Sequence, residues 1–142
     1  MSRSRQCKTK RFSVLIAEDN PETRQAFAAA LAEAGFSVTE VRSGGEALRV
    51  AREQHPDALV TDLKLPDMDG VELTRTITRD PGTCDIPVVG VSCGPSGDRN
   101  RIGLAGFAQV MVDSCGPQHL LADVRGVLGD HPEPQRRRSK RR

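Results

Sequence analysis

The chain holds 142 residues, the size of one domain with a single core, and its 21 Lys and Arg nearly balance 19 Asp and Glu. The balance hides a segregation: residues 1 to 11 carry five bases and no acid, residues 131 to 142 six bases and one acid, and residues 12 to 130 ten bases against eighteen acids. No apolar run approaches the roughly 20 residues that cross a bilayer, the first ten positions hold no secretory signal, and the four cysteines show neither C-x-x-C nor zinc-ligand spacing, which predicts a reduced, cytoplasmic protein with no membrane partner.

Between the basic ends, short β-rich apolar runs alternate with amphipathic helical stretches, the sign of a parallel sheet covered by helices on both faces. Phe12 to Ala17 is the first predicted strand. Asn20 and Pro21 then read as a helix cap and first-turn proline, Phe27, Leu31 and Ala34 recur at helical spacing, and Gly35 is the stop. Phe36 to Val41 is the second strand; Ser43 caps a helix running to about Gln54, which His55-Pro56 ends. Asp57 to Asp62 is a third, buried strand, followed by a loop from Leu63 to Gly70. The next helix carries Val71, Leu73, Thr74 and Ile77 and closes at Pro81-Gly82, and Ile86 to Ser92 is the fourth strand. Residues 94 to 106 contain four glycines and a proline, so a helix there is expected to be short. Phe107 to Val112 is the fifth strand, and Pro117 opens a last helix with Leu120, Leu121, Val124 and Leu128 inward. The division expected is a basic tail over 1–11, one domain over 12–129, and a basic, disordered tail over 130–142.

Five parallel strands in the doubly wound, flavodoxin-like order 2-1-3-4-5 would bring Glu18 and Asp19, just after strand one, next to Asp62, which ends strand three. Strands one and three flank the point where strand order reverses, and Ser92 at the end of strand four lies on the same edge. Carboxylates and carbonyls in such a crevice suit Mg²⁺, and a carboxylate beside the ion has the chemistry of a nucleophile toward a phosphoryl group.

The stretches Val14-Leu15-Ile16-Ala17-Glu18-Asp19-Asn20, Ala34-Gly35-Phe36-Ser37-Val38, Gly44-Gly45-Glu46-Ala47-Leu48 and Pro56 through Gly70 resemble the receiver domain of two-component response regulators, with similarity over about residues 12 to 129. The resemblance implies that Asp62 is the phospho-acceptor, that Glu18, Asp19, Asp62 and the backbone carbonyl of Lys64 hold Mg²⁺, and that the Ser92 hydroxyl bonds the phosphoryl oxygen. It implies a histidine kinase or phosphotransfer protein upstream and a downstream protein target, met on the face built by the helix expected over 94–106, the fifth strand and the last helix.

One departure bears on the chemistry. The family's lysine after strand five is replaced by Asp113, followed by Ser114 rather than proline, and no Lys or Arg occurs between Arg101 and Arg125. A lost charge-assisted hydrogen bond costs roughly 1.5–3 kcal/mol, and a further carboxylate about 6 Å away adds repulsion on the order of 3 kcal/mol. Lys64, two residues after Asp62, is the nearest substitute cation in the sequence, which makes it a second candidate catalytic residue beside Ser92. The strand-five aromatic of the family reads Val110.

The function expected is therefore a single-domain response regulator that accepts a phosphoryl group on Asp62 and signals through protein contacts; it is a phospho-acceptor that assists its own transfer, not an enzyme. The alternative is a phosphorylation-independent interaction module. Arg136 to Arg142 is a basic run of the type that contacts nucleic-acid phosphates, although solvated tails are the commoner case and aromatic stacking platforms are scarce. Cys93 and Cys115 follow adjacent strands, and neither His55 nor His119 has metal-ligand partners in sequence.

Overall fold

In the computed structural model, strands and helices alternate from Ser13 to Leu128, and the described residues are 11–92, 106–112 and 116–129. Strands β1 (Ser13–Ala17), β2 (Ser37–Val41), β3 (Ala58–Asp62), β4 (Val88–Ser92) and β5 (Gln109–Val112) lie side by side in the order β2-β1-β3-β4-β5, every pair parallel. Helices α1 (Pro21–Glu33), α2 (Gly44–Gln54), α3 (Gly70–Arg79) and α4 (Pro117–Leu128) make the crossovers. The segment expected to form a short helix, 94 to 106, lies outside the described residues except for Gly106, as do the basic tails except for Arg11.

The period-two alternation of the strands builds two cores. Val14 and Ile16 of β1, Val60 of β3, and Val89 and Val91 of β4 point to one face, where Phe27 and Leu31 of α1 and Leu120 and Val124 of α4 cover them. Leu15, Ala17, Leu59 and Val88 point to the other, under Ala47, Val50 and Ala51 of α2 and Leu73 and Ile77 of α3. Strands covered on both sides need continuous apolar runs, and β1 and β3 supply them.

Local chemistry sets the helix ends. Asn20 Oδ1 accepts from the N–H groups of Glu22 and Thr23 to start α1, with Pro21 in its first turn. At its other end Gly35 takes φ +101°, and the N–H groups of Gly35 and Phe36 return to the carbonyls of Ala32 and Leu31. This is the two-bond glycine stop, so the buried Phe36 closes α1 against Leu31 rather than opening β2. Strands β1, β4 and β5 also begin one or two residues later than the apolar runs do: Phe12, Ile86 and Phe107 pack on the cores ahead of the first paired residues, although the Phe12 carbonyl accepts from the Ser37 N–H. Helix α2 ends at His55, whose left-handed φ of 49° stands where glycine is usual.

All strands run toward one edge and all helices return to the other. The acids after β1 and β3 therefore lie at the carboxyl edge, whereas the chain enters β1 and leaves α4 at the opposite edge, where Phe12 and Leu128 pack on one cluster. Among the described residues no helix is long and apolar enough to cross a membrane.

Candidate functional site

The chain runs from β1 outward to β2 and then crosses back to β3, so β1 and β3 are neighbours whose following loops diverge and leave a crevice between them. Their register pairs Ala17 with Thr61, and one step further brings Glu18 abreast of Asp62. Glu18 is held there from three sides. Its N–H donates to the Val41 carbonyl at the end of β2 (3.1 Å), its Oε2 accepts from the Asn20 N–H (3.1 Å), and its carbonyl accepts from Arg24 Nη1 (3.1 Å). The Arg24 guanidinium is anchored in turn by Glu40 on β2, 3.2 Å away.

Glu18 is buried and Asp62 half-buried, and water can do little to separate their charges. Burial, and then the neighbouring Asp62 charge, push the Glu18 carboxyl up to about 7. Burial also raises Asp62, opposed by the Lys64 and Leu63 N–H groups and by a hydrogen bond from Glu18. The hydrogen bond between the two side chains raises Glu18 and lowers Asp62, so a proton shared by the pair is favoured on Glu18. Asp19 is exposed beside them.

The loop after β3 folds back tightly. Lys64 N–H donates to Asp62 Oδ1 (3.3 Å), Lys64 pairs with Asp69 in an isolated bridge, and Gly70 N–H donates to the Leu63 carbonyl (2.8 Å). Gly70 lies directly against the Asp62 carbonyl, where a Cβ would overlap it, so only glycine lets α3 begin this close to the end of β3. The Lys64 side chain is exposed, and its charge is the last and smallest of the influences that lower Asp62.

On the other side of β3, Asp62 is in register with Val91, and Ser92 follows it at the end of β4, opposite Val112. That register sets Ser92 on the strand adjoining the acids; its side chain lies outside the described residues, as do Asp113, Ser114, Cys93 and Cys115. Among the described residues no three His, Cys, Asp or Glu side chains close on a common point. Mg²⁺ takes only one or two carboxylates with a carbonyl and waters, so two half-compensated acids beside a backbone loop suit its demands. Sequence reading singled out Glu18, Asp19, Asp62 and Lys64 and missed Arg24 and Asp67; the second of these reaches the N–H groups of Gly44 and Gly45 at 2.8 Å each.

Residues 14–125 match the family model described as the response regulator receiver domain. The chain belongs to that family. Among curated proteins, the polar-differentiation response regulator DivK of Brucella ovis is 33% identical over 119 residues, which are 83% of this chain and 97% of that protein. The receiver domain of a sensor histidine kinase from Pseudomonas aeruginosa, whose active-site cleft coordinates a magnesium ion, superposes with a TM-score of 0.77 at 28% identity, over 84% of this chain and 99% of that one. The chemotaxis response regulator CheY4 of Vibrio cholerae shares the fold at TM-score 0.77 and 24% identity, over 83% of this chain and 99% of its own. The chain is thus a receiver-domain response regulator of phosphorelay signalling, and the crevice between β1 and β3 is the part of the receiver fold in which its acids gather.

Proposed function

We propose that Asp62 is the phospho-acceptor of this receiver domain. The observation that carries the reading is the register that sets Asp62 abreast of Glu18 at the point where strand order reverses. One Asp62 carboxylate oxygen attacks the phosphorus of a phosphohistidine or a small acyl phosphate. The new O–P bond forms as the donor's P–N or P–O bond breaks, and the bonding pair leaves with the donor imidazole or carboxylate. Glu18, Asp19, Asp62 and the Lys64 carbonyl are the groups that would hold Mg²⁺, which when bound offsets charge on the phosphoryl oxygens. A hydrogen bond from Glu18 favours the ionised form of Asp62 while the site is free of metal, and the Ser92 hydroxyl, on the adjoining strand, donates to a phosphoryl oxygen. With Asp113 in place of the family lysine, the Lys64 ammonium is the cation that the loop offers to the pocket.

The partners that follow are a histidine kinase or phosphotransfer protein as donor and a downstream protein as target, met in the cytoplasm. The experiment is intact-mass measurement after incubation with a small acyl phosphate and Mg²⁺. One added phosphoryl group in the wild type and none in Asp62→Asn is the expected result; equal gain in both, or none in either, overturns the assignment.

A further inference from the structure

We propose that Asp67 is a positioning residue: it clasps the loop between β3 and α3 to the amino end of α2, and so fixes the direction in which Lys64 is presented to Asp62. The inference rests on the reading of Asp62 and the Lys64 carbonyl as parts of the Mg²⁺ and phosphoryl site.

Both ends of this loop are tied within the loop itself, but its apex is not. Lys64 bridges to Asp69, Gly70 closes onto Leu63, and Asp69 Oδ1 caps α3 through the Val71 N–H (2.7 Å). Residues 65 to 68 are left outside that ring, and Asp67 fastens them elsewhere. Its Oδ1 accepts from the Gly44 N–H and its Oδ2 from the Gly45 N–H, both at 2.8 Å. These are the first two N–H groups of α2, which lack partners inside the helix and sit at the positive end of its dipole. The two bonds hold the Asp67 carboxyl below the usual carboxylate range, so the clasp stays charged across the working pH range.

The grip is more than helix capping, because α2 already has its own cap: Ser43 Oγ accepts from the Glu46 N–H at 3.3 Å. Next to the clasp, Met68 lies over Gly44, where any Cβ would overlap its side chain, and Met68 packs on the α2–α3 core. A carboxylate with two acceptors and a methionine seated on a glycine therefore dock the apex at two adjoining points. Freed of them, the apex would keep only its short ring and the packing of Leu65 on the α2–α3 core, and the orientation of the Lys64 N–H and carbonyl toward Asp62 would spread. Outer partners that orient metal ligands characteristically change metal affinity by 10–100-fold when removed.

The test is a Mg²⁺ titration of the full chain by calorimetry, with amide hydrogen exchange of residues 63 to 68 followed in parallel. Asp67→Ala is expected to weaken Mg²⁺ binding about 10-fold and to speed exchange at the Lys64 amide. Asp67→Asn, with one acceptor in place of two, falls between it and the wild type. Ser43→Ala removes a cap bond from the same helix without touching the loop; it lowers the melting temperature and leaves Mg²⁺ affinity at the wild-type value. Wild-type affinity in both Asp67 variants, or an equal loss in Ser43→Ala, overturns the clasp and leaves the site reading standing. A wild type that takes up no Mg²⁺ overturns the site reading and the positioning role with it.

Discussion

Glu18 and Asp62 stand abreast at the carboxyl ends of adjacent strands, and a proton shared by the two is favoured on Glu18 by the hydrogen bond between them. The Glu18 carboxyl is raised from 4.5 to about 7, and Asp62 is raised in the same direction. A carboxyl raised by folding binds its proton more tightly in the native state, so the stability it contributes is complete below its unfolded value and is lost as pH rises through its folded one. The melting temperature of the metal-free protein is therefore expected to fall between pH 4.5 and 7 on account of this pair, and Glu18→Gln to flatten that slope. Asp67 and Asp80, both lowered, act in the opposite sense and only in more acid solution. On the proposed Mg²⁺ site the ion displaces the shared proton, so its affinity is expected to rise with pH up to about 7 and then level. Thermal scans with and without Mg²⁺ across this range check both slopes; a flat wild-type profile would remove the shared proton from the account.

Phe107 lies over Gly90 so closely that a Cβ on that glycine would sit 2.6 Å from the ring. Gly90 is the inward position of β4 on the α2–α3 side, and the aromatic fills the space that a side chain would take there. Gly90→Ala is expected to destabilise by about 1–3 kcal/mol through overpacking, against the usual gain from replacing glycine in a strand. In a Phe107→Ala background the same change is expected to be neutral or stabilising, and chemical denaturation of the four variants of this double-mutant cycle measures the coupling.

The parts of this fold that were legible in sequence are those written in a local period or a short cap signal. The apolar run ending at Ala17 marked a strand where β1 lies, and Asn20-Pro21 and Ser43 marked the helix starts where they lie. Phe36 was misplaced into a strand because an apolar residue after Gly35 satisfies both a strand pattern and the glycine stop, and only the bond to Leu31 separates them. That Glu18 and Asp62 come to one edge of the sheet was legible from their positions after the strands. Arg24, Asp67 and the Phe107–Gly90 contact were not, since each depends on residues 6 to 23 positions away with no period connecting them.

Arg24 binds the carbonyl of Glu18 and the carboxylate of Glu40 with its side chain only 11% exposed. Arg24→Ala strips a partner from the backbone next to the site and leaves a gap under its buried stem, at an expected cost of roughly 1.5–3 kcal/mol. Glu40 is more open, and Glu40→Gln is expected to cost less than about 1 kcal/mol. Equal losses in the two variants, measured by urea denaturation, would place the value of this group in the ion pair rather than in the bond to Glu18.

Asp113 directly follows β5, the strand beside the one that ends in Ser92, and the family has a lysine there. On the resemblance, an acid at that sequence position replaces a cation that the family sets against the acceptor carboxylate, while the incoming phosphoryl group brings further negative charge. At an effective dielectric of 20 one such charge some 6 Å away opposes transfer by about 3 kcal/mol, and reversal to a cation also restores a charge-assisted bond of roughly 1.5–3 kcal/mol. Asp113→Lys is therefore expected to raise the rate of phosphorylation by a small phosphodonor by at least about 10-fold, which needs only 1.4 kcal/mol of that sum. Asp113→Asn, which removes the repulsion without supplying the bond, is expected to give a smaller gain, and Lys64→Ala to slow transfer in the wild type more than in Asp113→Lys. Time-resolved intact-mass measurements on the five proteins, the double variant included, separate these effects; a Lys64→Ala variant as fast as the wild type would show that the loop lysine does not replace the missing cation.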